Sequence, residues 1–151
     1  MCNRFPKDKR DKYNHSGIYS ISIEDKLVYI GRSKNMKNRI MSHMRNIQNP
    51  EQEKNRETAA KRGHHKYEVL NQAYENGIPI GFDVVCYCNE TELNRMESYF
   101  IKTYIPPLNF AIPEEDGKVV EHNDLAEEVS LEDILALDST KLPSAYQESA
   151  F

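Results

Sequence analysis

The sequence predicts an α+β domain, a small three-stranded antiparallel sheet flanked by helices, and three observations carry that prediction. Two β-branched and aromatic runs, residues 17–23 and 27–32, are joined by a tight polar connection. Two stretches with apolar residues at helical spacing come next. An alternating run, IPIGFDVVCYC, then precedes a third helical stretch. The order β-β-α-α-β-α places sheet and helices in separate layers.

Each element has its own local reason. The first two runs form a hairpin with a tyrosine in each arm, Tyr19 and Tyr29. Asn35 offers an N-cap to a helix over 36–47, where Met36, Ile40, Met44 and Ile47 recur on one side. Residues 48–63 are polar and read as a solvated connection. A second helix is expected over 64–77, with Val69, Leu70, Ala73 and Tyr74 on its apolar side and Gly77 as its stop. Residues 78–88 form the third strand. Thr91 is the expected cap of the last helix, whose stripe is Leu93, Met96, Phe100 and Tyr104, and Pro106 and Pro107 end it.

Charge divides the chain. Residues 1–112 contain 18 Lys+Arg and 13 Asp+Glu, a net of +5, whereas residues 113–151 contain 2 and 11, a net of −9. The pI near 5.8 averages over that division and hides it. The expected organisation is a basic N-terminal arm over 1–15, a main domain over 16–112 and an acidic tail over 113–151. Part of that tail is expected to be disordered, with one short helix near 130–138 capped by Ser130. No apolar run approaches the 18 residues that a membrane helix needs. The N-terminus lacks the apolar core of a signal peptide, so the expected compartment is the cytoplasm. Cys2, Cys86 and Cys88 form no metal spacing, and Cys86 and Cys88 read as small buried hydrophobes on one strand face.

The tripeptides GIY at 17–19 and YIG at 29–31 resemble the signature of the GIY-YIG nuclease family. Arg39 follows Tyr29 by ten residues and His43 comes one turn later, as in the family's R-x-x-x-H arrangement. Glu97 falls on the last helix, where the family's metal-binding glutamate is found, and Asn109 in PPLNF matches the asparagine that closes the domain. The likeness covers roughly residues 16–110. Within the family it is nearest to the small nuclease domains of phage and homing-type enzymes. Their segment between first helix and third strand often shows a histidine, then leucine, alanine and glycine, as His65, Leu70, Ala73 and Gly77 do here. The resemblance implies a metal-dependent endonuclease with Mg²⁺ (or Mn²⁺), acting on double-stranded or branched DNA. Its implied catalytic set is Tyr19, Tyr29, Arg39, His43, Glu97 and Asn109.

The residue types suit that chemistry on their own terms. Phosphodiester hydrolysis needs a water nucleophile, a base, a cation and help for the leaving oxygen. Glu97, the sole carboxylate of the set, suits one hard divalent ion completed by waters and phosphate oxygens, and cannot hold a two-metal cluster. Arg39 can fork onto a phosphate oxygen. Tyr29 is expected to orient or deprotonate the water and Tyr19 to position water or phosphate, and the two roles are exchangeable. Arg32 stands where some family members have lysine, and guanidinium is a poor proton acceptor. Arg32, Lys34, Lys37, Arg45, His65 and Lys66 are the expected phosphate contacts, which bind backbone without reading sequence.

The acidic tail departs from the family, whose homing-type members carry a DNA-binding region there. It repels phosphate. Beside a solvated tail whose helix rests on its own domain, three uses remain for it: self-association as a homodimer, docking to a protein partner, or competing with DNA for the basic face. Two other functions fit the same residues, a binding protein on a retired nuclease scaffold and an RNA-directed nuclease.

Overall fold

The computed structural model describes residues 12–51, 65–139 and 142. Strands β1 (Gly17–Ile23) and β2 (Lys26–Ser33) form the expected hairpin, and β3 (Ile80–Tyr87) pairs with the other edge of β1. The order β2-β1-β3 makes β2 an edge strand. Glu24, at φ 55, makes the turn.

Both faces of the sheet are covered. On one face Tyr19, Ile21, Ile23 and Val28 pack against α1 (Met36–Gln48), α2 (His65–Glu75) and the short α4 (Leu131–Leu135). On the other, Ile18, Ile30, Val85 and Cys86 pack against α3 (Leu93–Tyr104). Burial of these β-branched and aromatic side chains on both faces is the main drive for the fold.

The helix ends show which sequence signals were sound. Asn35 caps α1, its side chain accepting from the Asn38 amide at 3.1 Å. The Met36 and Lys37 amides, which have no intrahelical partner, donate to the His15 and Tyr13 carbonyls at 3.0 and 2.6 Å. Residues 12–16 therefore lie against the start of α1. Thr91 does not cap α3. Residues 90–92 form a single 3-10 turn instead, and the Thr91 hydroxyl bonds Asn89 at 2.9 Å. A threonine inside that turn is closer to the Asn89 side chain than to the helix amides. Ile105, at φ 44, ends α3 ahead of the prolines.

Two expected core positions face outward. Met44 is 46% exposed and Tyr74 48% exposed. His43 and Tyr67 take the inward positions on their helices, so the buried stripes are rotated toward polar residues. Met44 and Tyr74 line a shallow apolar groove of about 340 Å³ with Ile78 and Phe82.

Beyond Pro113 the described chain is structured. Strands β4 (Ala111–Pro113) and β5 (Val119–His122) form a second hairpin around Gly117, which has φ 89. Asn94 on α3 lies so close to Gly117 that a Cβ there would meet its amide at 2.8 Å. The 3-10 turn Asp124–Glu127 and α4 then bury Ala126, Leu131 and Ile134. Ser130 and Asp133 form a capping box on α4. Among the described residues, no helix is long and apolar enough to cross a membrane.

Candidate active site

The site straddles the edge of the sheet. Residues of β2 alternate between faces, so Tyr29 and Gly31 look toward α1 and α2 while Ile30 and Arg32 look toward α3. Because β2 is an edge strand, groups from both layers reach one cleft of about 420 Å³, which Tyr29, Arg32, Lys66, Glu97 and Asn109 line.

The signature glycines have a steric reason. Tyr19 sits opposite Gly31 in the β1–β2 register, diagonal to Tyr29. A Cβ at Gly31 would fall 2.4 Å from the Tyr19 hydroxyl. At Gly17 a Cβ would meet the Cys86 carbonyl oxygen at 2.4 Å. The first glycine lets β3 close on β1, and the second leaves room for the phenol of the other arm.

Behind the cleft lies a buried polar chain. The Tyr19 hydroxyl is 2.6 Å from His43 Nε2, and His43 Nδ1 is 2.8 Å from the Tyr67 hydroxyl. His43 is fully buried. Burial, then the Arg39 and Lys66 charges, push its pKa down to about 2, so the ring is neutral. A neutral imidazole carries one N–H. It therefore donates to one phenol and accepts from the other, which orders the whole chain.

The tyrosines are held protonated. Burial, with the Glu97 charge adding to it, pushes Tyr29 up to about 12, and Arg39 pulls the other way. Tyr19 is raised well above the ordinary phenol value by burial and by Tyr29, and Arg39 again opposes the rise. Arg39 is thus the cation placed to stabilise charge on either phenol. Lys66 adds a second, lying 5.5 Å from the Tyr29 ring centroid and 4.6 Å from that of Tyr67.

Glu97 faces Arg32 across the cleft floor, with Arg32 Nε 3.1 Å from Glu97 Oε1. Burial raises the Glu97 pKa even though Arg32 lowers it. A carboxylate whose desolvation outweighs its ion pair is under-compensated, and a bound cation would relieve it. The residues present therefore suit a divalent ion with Glu97 as its protein ligand. Among the described residues, no group of three metal-ligating side chains occurs.

Asn109 is committed to the backbone. Its Oδ1 accepts from the Ile30 amide at 2.9 Å and its Nδ2 donates to the Ile30 carbonyl at 2.8 Å. The Leu108 amide donates a hydrogen bond to the Val28 carbonyl at 2.9 Å. Residues 108–109 therefore close the free edge of β2 and fix the strand that carries Tyr29. Both polar ends of the Asn109 amide are engaged by Ile30, and the residue also lines the cleft.

The expected phosphate contacts divide. Lys66 and Arg32 line the cleft, though Arg32 is engaged with Glu97. Lys34, Lys37 and Arg45 are exposed and are not among its lining. His65 is not among the cleft lining either. Its Nε2 lies 2.6 Å from the Val129 carbonyl and its Nδ1 3.3 Å from Glu68, so it ties α2 to the acidic segment. Of the basic arm expected over 1–15, residues 1–11 lie outside the described residues. Sequence reasoning missed Tyr67, which no spacing rule marks, and the wall that Phe110 and His122 add to the cleft.

No family model matches the chain. In sequence it is 27% identical over 109 residues to the UvrABC system protein C of Fusobacterium nucleatum. That match covers 71% of this chain, which spans about 15% of the length of the curated relative. Among solved structures it is similar to bacteriophage T4 EndoII, with 24% identity and a TM-score of 0.47 over 63% of this chain and 74% of that one. It is also similar to the GIY-YIG N-terminal endonuclease domain of UvrC from Thermotoga maritima, bound to its catalytic divalent cation. There the identity is 22% and the TM-score 0.37, over 62% of this chain and 80% of that one. The chain carries the GIY-YIG signature in order from Gly17 to Asn109, on a three-stranded antiparallel sheet between helices, and it is similar to GIY-YIG nuclease domains.

Proposed function

We propose that this chain is a divalent-metal-dependent endonuclease that hydrolyses DNA phosphodiester bonds. The observation that carries the proposal is one cleft, at a sheet edge, holding a protonated tyrosine, an under-compensated carboxylate and two cations. Glu97 would hold the ion, with waters and phosphate oxygens completing its shell, and Mg²⁺ suits a single hard carboxylate. When bound, the ion supplies Lewis acidity and offsets charge on the phosphate.

The chain's own residues supply the rest. Tyr29 faces the cleft and orients the attacking water, or takes its proton when Arg39 and Lys66 stabilise the phenolate. Tyr19, held by His43 and Tyr67, fixes the second wall. Arg39 and Lys66 offset the charge that develops on the phosphate. Arg32 pairs with Glu97 and keeps the carboxylate aimed before substrate arrives.

The polymer is assigned by one panel: supercoiled plasmid, branched DNA and structured RNA, each with Mg²⁺ or with EDTA. Cleavage of the DNA substrates in Mg²⁺ alone is the expected result. Cleavage restricted to RNA would replace DNA with RNA as the substrate. Tight DNA binding without cutting of any polymer would favour a binding protein on this scaffold.

A further inference from the structure

We propose that the cleft contains a nucleobase pocket beside the phosphate-handling wall, built by the β4–β5 hairpin, so that the substrate is DNA with an unstacked base next to the scissile phosphate. The inference rests on the nuclease reading above.

The hairpin is shaped for this purpose by an irregularity. In its register Ala111 pairs with His122, Ile112 with Glu121 and Pro113 with Val119, so Val120 is an extra, bulged residue. The bulge brings Val119 onto the same face as His122. Ala111, Pro113, Val119 and His122 all line the cleft. Ile112, on the opposite face, packs on the core beside α3. Next to them the Phe110 and His122 rings stack, with centroids 4.7 Å apart and planes 28° from parallel.

The hairpin is also fixed in place. Lys102 on α3 holds Glu114 at 2.7 Å, and Asn94 on α3 bonds the Asp116 carbonyl at 3.3 Å. The same helix carries Glu97, so the aromatic wall and the carboxylate keep a constant separation.

Charge sorts what each wall takes. Arg32 and Lys66, from β2 and α2, line one wall, while the hairpin contributes no cationic side chain to the other. A phosphate is drawn to the first wall, and the second wall offers it no cation, since the hairpin residues that line the cleft are Ala111, Pro113, Gly117, Val119 and His122. A neutral, planar base is what the aromatic wall accepts, since every base has a face to stack. The volume, about 420 Å³, is within the range of small-molecule clefts, roughly 300–1,000 Å³, and exceeds what a phosphate group needs.

The test compares binding of a duplex carrying a one-nucleotide bulge with the same duplex whose bulged nucleotide is abasic. It is run in EDTA, so that binding is read without cleavage. The parent chain is expected to favour the base-bearing bulge by roughly 5- to 150-fold, the range of one aromatic stack. His122→Ala, at an exposed position, and Phe110→Ala bring that ratio to about one, and His122→Tyr restores it. Equal affinity of the parent chain for the two bulges overturns the pocket, as does a ratio that His122→Ala and Phe110→Ala leave unchanged. A base preference without cleavage of any polymer in Mg²⁺ would keep the pocket and remove the nuclease reading.

Discussion

Tyr29 and Glu97 reach the cleft from opposite sides of one strand, and their titrations are linked through it. The Glu97 charge helps hold Tyr29 near 12, so a cation on Glu97 eases ionisation of the phenol. If Tyr29 is the base, Tyr29→Phe lowers single-turnover cleavage by roughly 10²- to 10⁴-fold. The parent rate then climbs about tenfold per pH unit below the phenol pKa, because the phenolate fraction does. Near-parental cleavage by the variant would remove Tyr29 from that role. Glu97 makes a separate prediction about stability. Its folded pKa is raised, so its contribution is present below the unfolded value and is lost as pH rises through the folded one. Near neutral pH and without metal, Glu97→Gln is therefore expected to melt no lower than the parent. Thermal unfolding in EDTA and in Mg²⁺ checks both halves, since only the parent should gain stability from the ion. The signature residues were legible because each is defined by type and spacing. Tyr67 was not: its value lies in a contact with His43, and no pattern in sequence records a contact.

At the scale of elements, α1 and the β1–β2 hairpin act as one unit through His43. That ring is buried and neutral, with its pKa pushed down to about 2 by burial first and the Arg39 and Lys66 charges next. Below about pH 6.5 the unfolded chain takes up a proton that the folded chain refuses. Stability therefore falls on acidification, by about 1.4 kcal/mol per pH unit for this group alone. His43→Gln keeps a polar side chain that does not titrate, and it is expected to flatten that limb. Urea denaturation from neutral pH downward measures the difference in slope. An unchanged slope would mean that His43 charges freely in the folded state. The sequence marked three strands and three long helices because periodic runs carry that signal, and a fourth, short helix from its Ser130 cap. It did not mark β4 and β5, with three and four residues, one containing a proline and the other bulged. Nor did the Thr91 cap survive, since Asn89 competes for its hydroxyl.

Across the whole molecule, net charge and packing give different accounts of the acidic segment. Charge alone makes residues 113–151 an appendage. The structure instead buries Ala126, Leu131 and Ile134 from that segment, at 3%, 5% and 0% exposure, and ties Val129 to His65. The short helix near 130–138 was legible from its Ser130 cap, whereas its docking through Leu131 and Ile134 against the main core is a contact that no spacing records. Burial of a leucine or isoleucine contributes roughly 1.5–3 kcal/mol. Truncation after residue 112 is therefore expected to lower the melting temperature and weaken near-ultraviolet circular dichroism, measured against the full chain. A truncated chain that melted like the parent would make the segment a true appendage. The function asked of the whole molecule is metal-dependent cutting at the sheet edge. The most direct measurement is nicking of supercoiled plasmid in Mg²⁺ by the parent and by Glu97→Ala. The account predicts cutting that requires Mg²⁺ and is lost in the variant, and cutting by Glu97→Ala at the parental rate would contradict it.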